Sequence, residues 1–134
     1  MLKEDRTAII LCGGKGSRLG ELGKRLPKSL VTVQKKEIIW YIINILRKNK
    51  FNHLILPTGY KGNLINKYIR KNKFKLNIEC IETGRNSNIG FRIAKIIEKV
   101  KTKNVLLLNG DAIFDLNIKS IYQNHSKKNF DLTF

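Results

Sequence analysis

The sequence TAIILCGGKGSRL at residues 7–19 is the strongest indication of the fold, because an apolar strand-like segment runs directly into a glycine-rich loop. Glycines without Cβ atoms let consecutive backbone N–H groups turn inward and approach an anion closely. Two cations follow, Arg18 within the loop and Lys28 after Pro27. Both side chains can neutralise phosphate oxygens. The stretch therefore predicts a cradle for a nucleoside triphosphate.

Two other phosphate-binding motifs fit this loop poorly. A Walker A loop needs a glycine five residues before its Gly-Lys pair, and neither Gly14-Lys15 nor Gly23-Lys24 has one. The dinucleotide fingerprint would start at Gly14 but finds Leu19 at its third glycine. The remaining alternative is a plain glycine-rich turn, since such loops recur on many folds. The added cations favour phosphate.

The composition indicates one globular domain with a strongly basic surface. The chain has 134 residues, 42% of them hydrophobic, and a formal net charge of +17, so it can bury a core. A basic surface favours anionic partners, which keeps a nucleic-acid-binding domain as a remote alternative. No zinc-finger spacing, RNP-like aromatic pattern or basic-region heptad is present, so no nucleic-acid partner is expected. Cys12 and Cys80 lie in apolar runs and are predicted to be buried.

Nothing in the sequence indicates a membrane segment. Residues 1–6 are charged, and the apolar stretch after them is too short for a signal peptide. The longest apolar region, residues 38–46, is broken by Asn44 and cannot span a bilayer. We therefore expect a cytoplasmic protein without a membrane partner. A homo-oligomer is left open.

Short β-branched runs alternate with amphipathic segments along the chain. This rhythm predicts an α/β fold, a Rossmann-like and mostly parallel sheet with flanking helices. Strands are predicted at 7–12, 53–58, 77–81, 105–108 and 131–134, a short extended piece at 30–33, and helices at 37–48, 61–71, 91–100 and 117–125. The apolar run at 105–108 is of the kind buried on both faces. Because the last strand barely begins, we expect a fold truncated at its C-terminal side.

Two loops with useful chemistry follow predicted strands. Ligands of open α/β sheets collect at the carboxyl ends of strands, where the glycine loop and the run Asn109-Gly110-Asp111 both fall. Asp111 suits a Mg²⁺ ligand beside phosphates; the alternative is a turn residue that caps local backbone N–H groups. The glycine loop at the same edge favours the metal. Asp115 or Asn117 is expected to cap the next helix.

A polar, glycine-flanked stretch at residues 82–92 precedes the third helix. Backbone groups around Gly90 and the Ser87 hydroxyl could read the edge of a nucleobase. The alternative is a plain connecting loop, since loops this polar are common.

These motifs resemble the sugar-1-phosphate nucleotidylyltransferases, whose signature is Gly-Gly-x-Gly-Thr/Ser-Arg-Leu followed by Pro-Lys. The signature stands here at residues 13–19 and 27–28. Residues 59–62 (Gly-Tyr-Lys-Gly) and 82–84 (Glu-Thr-Gly), with Gly90 and Arg92, are similar to the glucose-1-phosphate cytidylyltransferase branch. Residues 109–111 and 114–116 match the family's metal-binding Gly-Asp region. The resemblance covers essentially the whole chain.

The resemblance implies a GT-A-like fold in which residues 1–134 are the N-terminal nucleotide-binding part of a nucleotidyltransferase domain. It implies transfer from a nucleoside triphosphate, with CTP favoured, to a hexose-1-phosphate, giving a nucleotide-sugar for polysaccharide biosynthesis and pyrophosphate. Arg18 and Lys28 would be catalytic, and Asp111 would hold Mg²⁺. The residues implied to contact the nucleotide are Leu11, Cys12, Gly13, Gly14, Gly16, Ser17, Arg18, Lys28, Ser87, Gly90, Arg92 and Asp111.

Several positions depart from the family pattern. Ser29 replaces a second proline, and Gly23 stands where a threonine is common. Ile89 and Phe91 replace a threonine and a glycine in the base-reading stretch, which leaves dTTP, UTP and GTP open beside CTP. Family members also continue well beyond this length and carry a second metal-binding carboxylate there. The alternative in another functional class is therefore a nucleotide-binding or regulatory domain of the same fold without turnover.

Overall fold

The computed structural model describes residues 5–134 of the chain. The strands are β1 (Thr7–Leu11), β2 (Thr32–Val33), β3 (Lys36–Glu37), β4 (His53–Thr58), β5 (Asn77–Glu82) and β6 (Val105–Asn109). The helices are α1 (Gly20–Arg25), α2 (Ile38–Lys48), α3 (Gly62–Asn72), α4 (Ile89–Ile96) and α5 (Ile118–Lys128). Single 3₁₀ turns lie at Ser17–Leu19, Lys28–Leu30 and Ile97–Lys99.

The central sheet is parallel, with strand order β5-β4-β1-β6. Ala8 of β1 pairs with Leu54 on one side and with Leu106 on the other. The Rossmann-like, mostly parallel sheet with flanking helices is therefore confirmed. Because β4 and β5 lie on one side of β1 and β6 on the other, the strand order reverses at β1. Such a switch point opens a crevice at the carboxyl ends of the strands.

Alternate residues of β1 bury against helices on the two faces of the sheet. Ala8 and Ile10 belong to the larger apolar cluster, which includes buried side chains of α2, α3 and α5. Ile9 packs with Ile55 and with Ile96 of α4 on the other face. Strand periodicity explains this division, because successive side chains point to opposite faces. Packing on both faces thus fixes β1 in the middle of the sheet.

The sequence predicted that the strand at residues 105–108, which is β6, is buried on both faces, and this prediction is wrong. Val105 and Leu107 of β6 are 38% and 45% exposed. The helix on that face of the sheet, α4, packs on Ile9 and Ile55 of the two inner strands. No element among residues 5–134 covers the second face of β6, so an apolar strand remains at an open edge.

The strand predicted at residues 131–134 is also wrong, since these residues form no ladder with the sheet. Helix α1 was not predicted from the sequence, because its two glycines, Gly20 and Gly23, weaken its helical pattern.

Helix α4 begins two residues earlier than predicted. Asn88 caps it, with its side-chain oxygen accepting a hydrogen bond from the Phe91 amide at 2.8 Å.

The structure also shows the environment of the two cysteines and the N-cap of the last helix. Cys12 is buried and Cys80 partly buried, and both are free thiols. Asn117 caps α5, because its side chain accepts a hydrogen bond from the Ser120 amide at 3.0 Å. None of the helices between residues 5 and 134 has the length and apolarity needed to cross a bilayer.

Candidate functional site

A cleft of about 770 Å³ opens at the carboxyl ends of β1 and β6, beside the first turn of α4. It therefore occupies the switch point of the sheet. All twelve residues proposed from the sequence line it: Leu11, Cys12, Gly13, Gly14, Gly16, Ser17, Arg18, Lys28, Ser87, Gly90, Arg92 and Asp111. The fold thus gathers three sequence-distant stretches around one space. Their individual contacts with a ligand stay predictions.

The glycine loop is held in shape by its own backbone and by α1. Gly16 has a left-handed φ of 62° and accepts a hydrogen bond from the Leu19 amide at 2.9 Å. Gly23 of α1 lies against this residue so closely that a Cβ there would stand 2.5 Å from the Gly16 oxygen. The glycine at position 23 is therefore needed for α1 to support the loop, a role that the sequence did not reveal.

The stretch at residues 59–62 fastens α1 to the sheet. The Lys61 ammonium donates hydrogen bonds to the carbonyl oxygens of Lys24 and, at 3.1 Å, of Arg25. The Tyr60 hydroxyl donates to the Lys24 oxygen at 3.4 Å. A cation at a helix C-terminus satisfies carbonyls that lack partners within the helix. This motif thus supports the glycine loop indirectly through α1.

Lys28 and Asp111 face each other in the cleft, although 83 positions separate them in the sequence. The Lys28 ammonium donates a hydrogen bond to the Asp111 carboxylate at 3.0 Å. Their side chains are 33% and 40% exposed, so water and ions reach both. An ammonium can instead bind a phosphate oxygen, and a carboxylate can instead bind Mg²⁺.

A metal ion would find few protein ligands here. Within residues 5–134, no group of three or more His, Cys, Asp and Glu side chains is placed to hold one. Asp111 is the carboxylate that lines the cleft. This donor set fits Mg²⁺, which keeps several waters and is commonly bound by one or two carboxylates and substrate phosphates.

The floor of the cleft is chemically inert. The Cys12 thiol is buried, and this burial, with the nearby Cys80, raises its pKa from 9.0 to about 12. The thiol is therefore neutral at physiological pH and does not act as a nucleophile. Gly110 packs directly above it, since a Cβ there would stand 2.7 Å from the Cys12 sulfur.

Two residues proposed to touch the nucleotide make hydrogen bonds within the protein. The Ser87 hydroxyl donates to the Thr83 oxygen at 2.6 Å. Arg92 is only 5% exposed, and its guanidinium bonds to backbone and side-chain oxygens below the glycine loop. Both residues still border the cleft.

Gly14 and Gly90 differ from the other glycines of the site. A Cβ on Gly14 would meet no atom within 4 Å, and one on Gly90 would meet only Asn88 at 3.6 Å. Packing within the protein therefore gives neither position a reason to lack a side chain. Both line the cleft, where a side chain would occupy space that a ligand could use.

Several known proteins are similar to this chain in sequence or in fold. The family model for nucleotidyl transferases matches residues 7–134. A D-glycero-alpha-D-manno-heptose 1-phosphate guanylyltransferase of Aneurinibacillus thermoaerophilus is 32% identical over 126 residues, which cover 94% of this chain and 55% of the relative. A probable glucose-1-phosphate cytidylyltransferase of Bacillus subtilis is 30% identical over 142 residues, covering 90% and 56%. The chain thus spans about half the length of these curated relatives.

The crystal structure of HddC from Yersinia pseudotuberculosis, complexed with GMP-PN, has a similar fold. It superposes with a TM-score of 0.78 at 22% sequence identity, covering 90% of this chain and 54% of that one. At this level of identity the likeness concerns the fold.

Proposed function

This chain belongs to the nucleotidyl transferase family, and from that membership we propose that its cleft binds a nucleoside triphosphate for transfer to a sugar-1-phosphate. The observation that carries the proposal is the meeting of Lys28 and Asp111, 3.0 Å apart, beside the glycine loop. A lysine and a carboxylate side by side can bind a phosphate oxygen and Mg²⁺, the two parts of a metal–nucleotide complex.

The proposed reaction is nucleotidyl transfer. A phosphate oxygen of the sugar-1-phosphate attacks the α-phosphorus of the triphosphate and forms a new P–O bond. The bond from the α-phosphorus to the bridging oxygen breaks, and pyrophosphate leaves with those electrons. Positioning and charge neutralisation carry such a reaction. Arg18, exposed in the turn Ser17–Leu19, is proposed to neutralise the leaving pyrophosphate and Lys28 the reacting phosphates.

Asp111 is proposed to hold Mg²⁺. The ion, when bound, supplies positive charge to the phosphate oxygens and orients them. Asn88 caps the Phe91 amide; the backbone at Gly90, at the positive end of the dipole of α4, is proposed to contact an anionic or polar group of the nucleotide. The protein groups then hold the triphosphate from two sides of the cleft.

CTP is the proposed nucleotide and a hexose-1-phosphate the proposed acceptor. Residues 59–62 and 82–84, with Gly90 and Arg92, support the cytidylyl assignment, and the Bacillus subtilis relative is named a probable glucose-1-phosphate cytidylyltransferase. GTP is the second candidate, because the Aneurinibacillus relative is named a heptose-1-phosphate guanylyltransferase. Transfer would feed nucleotide-sugar synthesis for polysaccharide in either case.

A binding panel of CTP, GTP, UTP, dTTP and ATP, each with Mg²⁺, tests the proposal. Titration calorimetry of the 134-residue chain should give one triphosphate a clearly lower Kd than the others. That triphosphate at about 100 times its Kd should add roughly 2.7 kcal/mol to the free energy of unfolding. Pyrophosphate release with glucose-1-phosphate and other sugar-1-phosphates then tests turnover and identifies the acceptor.

The panel also separates the other two hypotheses. Selective binding without pyrophosphate release would favour a nucleotide-binding domain without turnover. Equal affinity for all polyanions, abolished by moderate salt, would contradict the proposal, since binding would then reflect the diffuse basic charge.

A further inference from the structure

Arg92 is a buried cation at the edge of the cleft, with 5% of its surface exposed. Burying a charged group is costly unless its hydrogen bonds are satisfied within the protein. The three acceptors of its guanidinium are neutral oxygens. This placement differs from that of Arg18 and Lys28, which reach the solvent-filled part of the cleft, and it needs its own explanation.

The Arg92 guanidinium ties three strand ends together. One nitrogen donates to the Thr58 oxygen at 3.1 Å and to the Thr83 hydroxyl at 2.7 Å, at the ends of β4 and β5. The other terminal nitrogen donates to the Gly13 oxygen at 3.1 Å, just after β1. A planar fork of this kind fixes its acceptors in position and in direction.

Two glycines give the guanidinium its space. The three atoms nearest to a Cβ built on Gly13 all belong to Arg92, in severe overlap. A Cβ on Gly59 would stand 2.5 Å from one guanidinium nitrogen and 2.8 Å from the other. Gly13 is not among the residues with positive φ, so an L-residue could adopt its backbone conformation. Arg92 is thus what demands a glycine at position 13.

The Gly13 carbonyl is the point at which this arrangement reaches the cleft. It accepts hydrogen bonds from Arg92 and, at 3.3 Å, from the Tyr60 amide. In a planar trans peptide the carbonyl and the following N–H point in opposite directions. Two donors that hold the Gly13 oxygen inside the protein therefore turn the Gly14 N–H away from it, and Gly14 is exposed and lines the cleft.

We propose that Arg92 is a positioning residue that holds the Gly13 peptide from below, so that the Gly14 N–H is presented to the phosphates of the bound nucleotide. This role rests on the proposed triphosphate binding in the same cleft. In this role Arg92 acts through the backbone of the glycine loop and does not itself bind a phosphate. An arginine is required, because a lysine cannot bond to Gly13, Thr58 and Thr83 with one planar group.

The variants Arg92→Lys and Arg92→Met separate geometry from charge. Both should raise the Kd for the preferred Mg²⁺-triphosphate about tenfold and shift the amide NMR signal of Gly14 in the protein without nucleotide. Arg47→Ala is the matched control. Arg47 is exposed at the end of α2, just before β4, and so lies at the amino ends of the strands, whereas the cleft lies at their carboxyl ends. Wild-type affinity in Arg92→Lys would overturn the proposal, since positive charge alone would then suffice.

A double-mutant cycle tests the contact without any nucleotide. Gly13→Ala should lower the melting temperature strongly in the wild-type background and much less in the Arg92→Ala background, where the clashing guanidinium is gone. Equal effects in both backgrounds would overturn the proposal. Unfolding of every Arg92 variant would also overturn it, because Arg92 would then maintain the fold as a whole.

Failure of the underlying function is distinguishable from failure of this role. If the wild-type chain binds no triphosphate, the proposed function is wrong, while the melting cycle and the Gly14 amide signal still report whether Arg92 holds the loop.

Discussion

At the scale of single residues, the glycines of the cleft are needed for different structural reasons. Gly16 needs its left-handed backbone, and Gly13 must leave space for the Arg92 guanidinium. Gly14 has neither reason, because open space surrounds the position of its missing Cβ. A ligand that approaches the backbone closely would explain why this position lacks a side chain.

We expect Gly14→Ala to weaken ligand binding and Gly16→Ala to lower the stability of the fold. Gly14→Ala should leave the melting temperature nearly unchanged but weaken triphosphate binding, because the new methyl group lies in the cleft. Gly16→Ala should lower the free energy of unfolding by at least about 1 kcal/mol, the cost of a left-handed alanine, because its methyl group would also stand 2.8 Å from Lys28 Cγ. Thermal unfolding and calorimetry of both variants check this. Undiminished binding by Gly14→Ala would show that no ligand approaches the loop there.

Lys28 is the residue whose removal should affect turnover most directly. In a chain that releases pyrophosphate, Lys28→Ala should reduce the rate by about 10²–10³-fold, by analogy with a lost oxyanion-hole donor. Its melting temperature should change little, since the ion pair with Asp111 is solvent-accessible. Lys101→Ala is the matched control, because Lys101 is exposed and precedes β6, near the amino ends of the strands and away from the cleft. A near-normal rate in Lys28→Ala would contradict the mechanism.

At the scale of elements, short capping contacts decide where helices begin. The sequence left Asp115 and Asn117 as alternatives for the N-cap of α5, and Asn117 has the hydrogen bond. Likewise Asn88 begins α4 at the cleft. Composition alone cannot choose between two good capping residues, since the choice depends on the turn that the chain makes after β6.

Removing the Asn117 side chain should destabilise α5 measurably. Asn117→Ala should lower the free energy of unfolding by about 1 kcal/mol, the usual cost of a lost N-cap. Asp115→Ala, two residues earlier, is the control and should change it far less. Urea unfolding followed by circular dichroism measures both. Equal losses would show that the cap is shared or misplaced.

At the scale of the whole molecule, the sheet is well covered at its centre and open at one edge. Ile10 of β1 is fully buried, whereas Leu107 of β6 is 45% exposed. The apolar composition of β6 alone predicts a buried strand. Its exposed face instead reflects where the helices lie, which no local pattern encodes.

This difference predicts unequal costs of truncation. Ile10→Ala should lower the free energy of unfolding by about 2–5 kcal/mol, because it leaves a cavity in the core. Leu107→Ala should cost less than about 1 kcal/mol, because water already reaches that side chain. Chemical denaturation of the two variants compares them. A Leu107→Ala loss as large as that of Ile10→Ala would mean that the second face of β6 is covered in solution.

The parallel α/β fold and the glycine loop could be predicted from the sequence alone, because apolar periodicity marks the strands and helices and parallel strands place the loops that follow them at one end of the sheet. The twelve candidate residues came from the family resemblance, and the structure shows that they line one cleft. The folded structure was needed to show that Arg92 lies below the loop, that α1 supports the loop, and that one face of β6 is exposed. Each depends on packing between distant segments, as when Arg92 meets Gly13 across 79 positions, and local sequence carries no record of such contacts.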